Sequence, residues 1–252
     1  MRNARLLAVG FSLLALFAPA ACTHSQAPRE QTAAQHAVPA SVPASITPAP
    51  RPDAWWADQH ARIVEKTARG NHHILFLGAS IMERWETVGA EVWNWDWRPR
   101  GAVDCGISGD RTQHVLWRLD HGLADAIAAP GNNFGWVVLN IGSNNTDTDS
   151  GADIARGVEA IIRIVKSKAP RAKFIVTLFP RGEKNSKVRA AVDSANAILR
   201  EHAGPTSYIY MNIGSIFLDE QGEIRPDMMP DLIHPTSEGY RIWSGELLKA
   251  MQ

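Results

Sequence analysis

A serine, Ser80, directly follows a strongly apolar stretch of the chain. Ile74–Leu77 has the near-continuous hydrophobicity of a parallel strand that is buried on both faces. Gly78 and Ala79 then allow a sharp turn into a helix, so Ser80 is expected at the helix N-terminus, where unpaired N–H groups and the helix dipole would stabilise a negative oxygen. Such a serine can attack an acyl carbonyl if a base lies nearby. Capping of the helix is the alternative role for a serine at this position.

A candidate base lies near the C-terminus, in the sequence DLIHP at residues 231–235. Asp231 precedes His234 by three residues, so on a turn the carboxylate can hold one ring nitrogen and leave the other free to take a proton from a serine. A structural histidine and a metal ligand are the alternatives. A metal is disfavoured because no second histidine or carboxylate follows at ligand spacing and no cysteine pair is present.

Two further motifs combine small residues with groups that can donate hydrogen bonds. Gly106–Thr112, with the sequence GISGDRT, places two glycines between a candidate strand and a helix, so its N–H groups can point at a ligand. A phosphate-binding loop is disfavoured because the glycine spacing is shorter than in the nucleotide fingerprints and no lysine follows. Gly142–Asn145 follows an apolar stretch, and the Asn144 amide there can donate into a site or form an Asx turn.

Strands and helices alternate along the chain around these motifs. Strands are predicted at Ile74–Leu77, Gly101–Cys105, Trp136–Ile141, Phe174–Phe179 and Tyr208–Met211, with helical periodicity between most of them and after the last. This alternation is typical of an α/β protein whose parallel sheet is covered by helices on both faces. Ligands of such sheets bind beyond the carboxyl ends of the strands, and Ser80 and both glycine-containing motifs follow strand ends.

The first 22 residues predict an export signal. Two arginines precede the apolar run Leu6–Ala18, which is too short to span a bilayer, and small residues follow it. Ala20, Ala21 and Cys22 resemble the lipobox of bacterial lipoproteins, in which the cysteine becomes the lipidated N-terminus. Cleavage after Ala20 without lipidation is the alternative. We therefore expect an exported protein of the periplasm or cell envelope, anchored to a bacterial membrane through Cys22.

Residues 23–52 are rich in alanine, proline, glutamine and serine, which predicts a disordered linker because such a composition buries too little apolar surface to offset ordering. Residues 53–252 have the size of one domain. Its single cysteine, Cys105, permits no disulfide within the domain and is interpreted as a buried small residue. The whole chain has 26 basic and 26 acidic residues and no basic run, which argues against a nucleic-acid partner.

Four segments resemble the four blocks of the SGNH, or GDSL, hydrolases and occur in the same order along the chain. They are Gly78–Ile81, Gly106–Asp110, Gly142–Asn145 and Asp231–His234. Gly106–Gly122 and Leu178–Gly182 look most like segments of the catalytic subunits of type I platelet-activating-factor acetylhydrolase. The resemblance covers about residues 55–248. It implies a three-layer α/β/α flavodoxin-like fold with a central parallel five-stranded sheet in the order 2-1-3-4-5.

The resemblance also implies roles for individual residues. Ser80 would be the nucleophile, His234 the general base and then the general acid, and Asp231 the carboxylate that orients the histidine. The N–H groups of Ser80 and Gly109 and the side chain of Asn144 would form the oxyanion hole. No metal and no organic cofactor are implied.

Three residues depart from the family pattern. Ala79 stands where the family usually has aspartate, Asp104 where asparagine often opens the second block, and Asn145 where many members have aspartate. None of these is a catalytic position. The missing carboxylate at Ala79 bears on the rigidity of the nucleophile loop and on the pH optimum.

The predicted function is that of a serine esterase that removes a short acyl group, above all acetyl, from an alcohol oxygen. A lysophospholipase or thioesterase on longer chains and a non-catalytic acyl-sugar binding domain are the alternatives. Long acyl chains need an extended apolar groove, whereas the connections here are short. Glu86–Arg100 carries Trp93, Trp95 and Trp97 at alternating spacing, which predicts an extended stretch whose rings either pack on the domain or face a sugar. The sequence predicts no oligomeric state.

Overall fold

Five parallel strands form the centre of the protein in a computed structural model that describes residues 42–252. The strands are β1 (Ile74–Gly78), β2 (Ala102–Gly106), β3 (Trp136–Asn140), β4 (Lys173–Val176) and β5 (Ile209–Tyr210). Their order across the sheet is β2-β1-β3-β4-β5, and every neighbouring pair is parallel. The predicted strand order is therefore confirmed.

The helices cover both faces of this sheet. They are α1 (Ala54–Ala68), α2 (Ser80–Glu83), α3 (Ala90–Val92), α4 (Thr112–Arg118), α5 (Ala124–Ile127), α6 (Gly151–Lys168), α7 (Lys187–His202) and α8 (Ser237–Ala250). Buried side chains of α1, α4, α5, α6 and α7 belong to one hydrophobic core, and those of α2 and α8 belong to a second. The molecule thus has the three layers that the alternating pattern predicts.

The continuous hydrophobicity of β1 follows from these two cores. Leu75 and Leu77 point into the core under α6, whereas Ile74 and Phe76 point into the core under α8. Successive strand side chains face opposite sides of a sheet, so a strand that is covered on both sides must be apolar at every position. Each such fully buried aliphatic or aromatic side chain contributes about 1.5–3 kcal/mol.

Residues 42–52, which the composition places in the linker, pack on the domain. Ala44–Ile46 form a short 3₁₀ turn, and the carbonyl of the buried Ser45 accepts a 2.8 Å hydrogen bond from the Thr112 hydroxyl. Arg51 donates a 2.8 Å hydrogen bond to the carbonyl of Ser108. The folded part of the chain therefore begins before the boundary predicted at residue 53, because composition does not register these individual contacts. The predicted signal segment and Cys22 lie outside the described residues.

The tryptophan-rich segment is helical and not extended. After α3 the chain forms a π-helical turn at Trp93–Trp97, so Trp93 and Trp97, four residues apart, share one face and are buried in the core under α8. Trp95 lies on the opposite face and is 77% exposed. The prediction of an extended stretch was therefore wrong. Side chains two residues apart share a face on a strand but lie on different faces of a helix.

The described residues contain no helix that is long and apolar enough to cross a membrane.

Strand β2 carries a buried carboxyl group. The side chain of Asp104 accepts a 2.8 Å hydrogen bond from the Gly106 N–H and is almost without exposed surface. Burial raises the pKa of this carboxyl to about 8, although the positive charge of Lys66 opposes the shift. Asp104 therefore binds its proton more tightly in the folded protein than in the unfolded chain.

We expect Asp104→Asn to stabilise the protein increasingly as the pH rises from 4 to 8. Below the unfolded pKa of 3.8, Asp104 is protonated in both states and does not lower the free energy of unfolding. As the pH rises from 3.8 to the folded pKa of about 8, the unfolded chain releases the proton more readily, so the free energy of unfolding of the wild type falls. One pKa unit corresponds to about 1.4 kcal/mol, so a shift from 3.8 to about 8 predicts a gain at pH 8 on the order of 5 kcal/mol. Denaturant unfolding across this pH range measures it, with Asp58→Asn on the exposed face of α1 as the control. A gain that does not change with pH would contradict the buried-acid interpretation.

Candidate active site

Ser80 begins α2 at the point where β1 ends. The close fit of this turn depends on two glycines that are paired across the strands, Gly78 on β1 and Gly106 on β2. A Cβ atom on Gly78 would lie 2.1 Å from the Asn140 carbonyl oxygen, and one on Gly106 would lie 2.3 Å from the Glu83 nitrogen. A larger residue at Gly106 would push α2 off the end of β2, and one at Gly78 would clash with the backbone at the end of β3. The glycines therefore fix where the serine hydroxyl lies.

A continuous hydrogen-bond chain joins Ser80, His234 and Asp231. The Ser80 hydroxyl oxygen lies 2.8 Å from Nε2 of His234, and Nδ1 of His234 lies 2.6 Å from Oδ2 of Asp231. An ionised carboxylate can only accept, so Nδ1 carries the proton and Nε2 faces the serine with its lone pair. The fold brings together Ser80 and His234, which are 154 positions apart in the sequence.

The turn that carries this pair is fixed by Asp231 itself. Oδ1 of Asp231 accepts hydrogen bonds from the backbone N–H groups of Ile233 at 3.0 Å and His234 at 2.7 Å, while Oδ2 binds the ring. Leu232, which directly follows Asp231, has a φ of 60°, in the left-handed region that non-glycine residues rarely adopt. Burial alone would raise the pKa of Asp231, but the hydrogen bonds from His234 and Ile233 lower it overall. The carboxylate is therefore ionised at neutral pH.

The three candidate oxyanion donors lie at the same edge of the sheet. Ile107 donates to the carbonyl of Gly78, which ties the loop that carries Gly109 to the end of β1. Asn144 donates one hydrogen of its amide to the Asp110 carbonyl at 3.0 Å, so one amide hydrogen remains for a ligand. Neither the Ser80 N–H nor the Gly109 N–H has an acceptor among residues 42–252.

A buried ion pair anchors the Gly109 loop. Asp110 and Arg118 have no exposed surface and are joined at 2.8 Å, and the indole N–H of Trp56 donates to the other carboxylate oxygen at 2.6 Å. Arg118 also donates to the Cys105 carbonyl at 2.8 Å. Burial raises the pKa of Asp110, and the charge of Arg118 and the hydrogen bonds oppose this shift. The sequence pattern contains this aspartate and arginine but does not reveal their pairing.

Comparison with known proteins places this chain in a family. Residues 76–242 match the model of the GDSL-like Lipase/Acylhydrolase family. The chain belongs to this family. The predicted membership of an acylhydrolase family is thereby confirmed.

Curated relatives include platelet-activating factor acetylhydrolase IB subunits. The rat alpha2 subunit is 31% identical over 204 residues, which cover 80% of this chain and 85% of that protein. The human alpha1 subunit is 29% identical over 204 residues, with 80% of this chain and 84% of that protein covered.

Solved structures share the fold at lower identity. A member of the lipolytic G-D-S-L family from Veillonella parvula has a TM-score of 0.58 and 16% identity, over 71% of this chain and 97% of that one. An acetylxylan esterase mutant from Geobacillus stearothermophilus has a TM-score of 0.52 and 16% identity, over 72% of this chain and 94% of that one.

One departure from the GDSL pattern has a local explanation. Asn145, where many members have aspartate, is buried and uses both ends of its amide. Its Oδ1 accepts from the Thr112 N–H at 3.0 Å, and its Nδ2 donates to Gln113 at 2.9 Å and to Asp149 at 2.7 Å. An aspartate could not donate to these oxygens, so the asparagine fits its neighbours.

The other ionisable candidates near the site form no metal centre. Among residues 42–252, no three histidine, cysteine, aspartate or glutamate side chains lie together as metal ligands do. Cys105 is buried, with its sulfur 3.3 Å from the Thr67 hydroxyl, and burial raises the pKa of its thiol. A thiol with a raised pKa is a poor nucleophile at neutral pH.

Proposed function

We propose that this protein is a serine esterase that removes a short acyl group, above all acetyl, from an alcohol oxygen. The observation that carries the proposal is the Ser80–His234–Asp231 chain, with contacts of 2.8 and 2.6 Å. These are the distances at which a histidine can take a proton from a serine while a carboxylate fixes its tautomer. Membership of the GDSL family and the acetylhydrolase and acetylxylan esterase relatives support the same reaction class.

The geometry supports a two-step mechanism. The Ser80 oxygen attacks the ester carbonyl carbon while His234 Nε2 takes the hydroxyl proton, and the electron pair of the carbonyl moves to its oxygen. The N–H groups of Ser80 and Gly109 and the free amide hydrogen of Asn144 stabilise this oxyanion. Collapse of the intermediate breaks the bond to the alcohol, which leaves with the proton from His234. Water then attacks the acyl-enzyme by the same route, releases the carboxylic acid and restores Ser80.

We expect Ser80→Ala and His234→Ala each to remove nearly all esterase activity with p-nitrophenyl acetate. Members of a triad act as a unit, so the double variant should be about as inactive as either single variant. A fluorophosphonate probe should label the wild type at Ser80, which separates an esterase from a non-catalytic acyl-sugar binding domain. Ser167→Ala on α6 and the exposed His73→Ala serve as controls and should retain full activity. Retained activity in Ser80→Ala would refute the proposal.

The position of one cavity relative to Ser80 favours a short acyl group in the substrate. A cavity of about 800 Å³ is lined by residues such as Lys173, Phe174 and Ile209, which lie at the amino ends of β4 and β5. Ser80 lies at the carboxyl end of β1, at the opposite edge of the sheet. This cavity therefore offers no groove for an acyl chain that is attached at Ser80.

We expect kcat/KM on p-nitrophenyl esters to fall steeply from acetate to octanoate. An acyl chain attached at Ser80 does not reach the cavity at the amino ends of β4 and β5, so added methylene groups gain no binding energy there. Initial rates across the acyl series, with the Ser80→Ala variant as the blank, measure the preference. A preference for octanoate over acetate would instead support the lysophospholipase or thioesterase alternative.

For the alcohol part of the substrate, we propose a saccharide. The exposed ring of Trp95 borders a cleft of about 250 Å³ that is also lined by Glu91, Ser237 and Arg241. Ser237 lies three residues after His234 and donates to a carbonyl on the other side of the cleft at 2.8 Å, so the cleft adjoins the loop that carries the histidine. A rigid aromatic face with charged groups around it suits a sugar ring and its hydroxyl groups.

We expect Trp95→Ala to raise KM for acetylated xylo-oligosaccharides roughly 10-fold, which corresponds to about 1.4 kcal/mol of stacking energy. The same change should leave kcat/KM for p-nitrophenyl acetate unaltered, because that ester has no sugar to stack. Trp95→Phe keeps an aromatic face and should keep most of the affinity. Equal losses on both substrates in Trp95→Ala would argue against a saccharide subsite at this cleft.

A further inference from the structure

The loop after β4, residues 178–182, contacts both halves of the candidate active site. Nη1 of Arg181 donates a 3.0 Å hydrogen bond to Oδ1 of Asn144 and a second hydrogen bond to the carbonyl of Ser143. The next residue, Gly182, donates its N–H to the Leu232 carbonyl at 2.9 Å. Leu232 lies in the turn between Asp231 and His234, so one short loop contacts the oxyanion side and the histidine side together.

The contacts of Asn144 permit one orientation of its amide. A guanidinium group can only donate, so the oxygen of the amide must face Arg181, and a carbonyl can only accept, so the nitrogen must face Asp110. Rotation of the amide by half a turn would place its NH₂ group against the guanidinium and its oxygen against the carbonyl. Arg181 therefore prevents the rotation that would withdraw the remaining amide hydrogen from a ligand.

The charge of Arg181 has a second effect on this amide. A cation that is hydrogen-bonded to the amide oxygen draws electron density from the nitrogen, so its N–H becomes a stronger donor. The effect grows where water is partly excluded, and both Arg181 and Asn144 are half-buried. A neutral donor at this position would orient the amide without this polarisation.

The backbone of the loop is held independently of the Arg181 side chain. Arg189, buried on α7, donates to the carbonyls of Arg181 at 3.3 Å, Gly182 at 2.8 Å and Gly222 at 3.2 Å. Loss of the Arg181 guanidinium therefore leaves the loop anchored. A variant at residue 181 can test the side chain without unfolding the segment.

We infer that Arg181 is a positioning residue that orients and polarises the Asn144 amide toward the oxyanion of the transition state. The inference rests on the proposed function, because it requires Asn144 to stabilise that oxyanion. Arg181 itself acts only through Asn144 and does not touch the reacting atoms. Its loss should consequently lower kcat and leave KM nearly unchanged.

A double-mutant cycle between Arg181→Met and Asn144→Ala tests this inference on p-nitrophenyl acetate. Asn144→Ala should lower kcat by about 10²- to 10³-fold, as for other oxyanion donors. Arg181→Met should lower kcat roughly 10- to 50-fold in the wild type but less than about 2-fold when Asn144 is already alanine, because its target is gone. Arg181→Lys keeps a charged donor and should recover most of kcat. Arg200→Met on α7 is the matched control and should have no effect, and thermal unfolding confirms that each variant is folded.

The outcomes separate failure of the inference from failure of the proposed function. Losses that multiply in the double variant, or a loss in Arg181→Met that appears only in KM, would overturn the role of Arg181 while the esterase proposal stands. If Asn144→Ala leaves kcat unchanged, the oxyanion role of Asn144 fails, and the inference about Arg181 fails with it. If Arg181→Met proves unfolded, the folded Arg181→Lys variant decides the matter. A kcat below that of Asn144→Ala would overturn the inference, and a kcat near that of the wild type would support it.

Discussion

Two of the candidate oxyanion donors depend on one buried ion pair, Asp110 with Arg118. Both side chains lack exposed surface, and Trp56 satisfies the second carboxylate oxygen, so the pair is closed off from water. Removal of one partner of such a pair leaves a buried charge and costs about 3–5 kcal/mol. The same residue, Asp110, presents its backbone carbonyl to Asn144 and follows Gly109 directly. The ion pair in the core therefore determines where two of the three candidate oxyanion donors lie.

The histidine side depends on a different constraint, the strained turn at Leu232. Its positive φ places the backbone N–H of His234 and the ring of the same residue on the two oxygens of Asp231. A non-glycine residue in this region costs on the order of 1 kcal/mol, which the surrounding contacts must offset. Leu232 donates to the Met229 carbonyl at 3.0 Å and accepts from Gly182 at 2.9 Å. The loop at residues 181–182 thus links the strained turn to Asn144, a candidate oxyanion donor.

Local pattern predicts much of the fold but little of the tertiary contacts within the site. Continuous apolar runs locate β1 and β3, and the spacing of Asp231 and His234 indicates the bond that the structure shows between them. The contact of Arg181 with Asn144 joins residues 37 apart and depends on neither spacing nor periodicity. The helical turn at Trp93–Trp97 was missed because tryptophans at every second position are the pattern of a strand with one apolar face. The pattern of residues within one helix or strand can be recognised in a single sequence. Polar contacts between loops cannot, because they depend on how the helices and strands pack.

Ala79 shows how the protein holds Ser80, its candidate nucleophile, without the carboxylate that is usual at this position. The Ala79 side chain is buried in the core under α6, where an aspartate would need a partner for its charge. The Ala79 carbonyl accepts hydrogen bonds from Met82 and Glu83, both at 3.0 Å, so the turn is closed by the backbone of α2 itself. Glu83 in turn accepts from the Ser108 N–H at 3.1 Å and thereby joins α2 to the Gly109 loop. The rigidity that a side chain at residue 79 would otherwise supply comes here from apolar packing on one side of the serine and from Glu83 on the other.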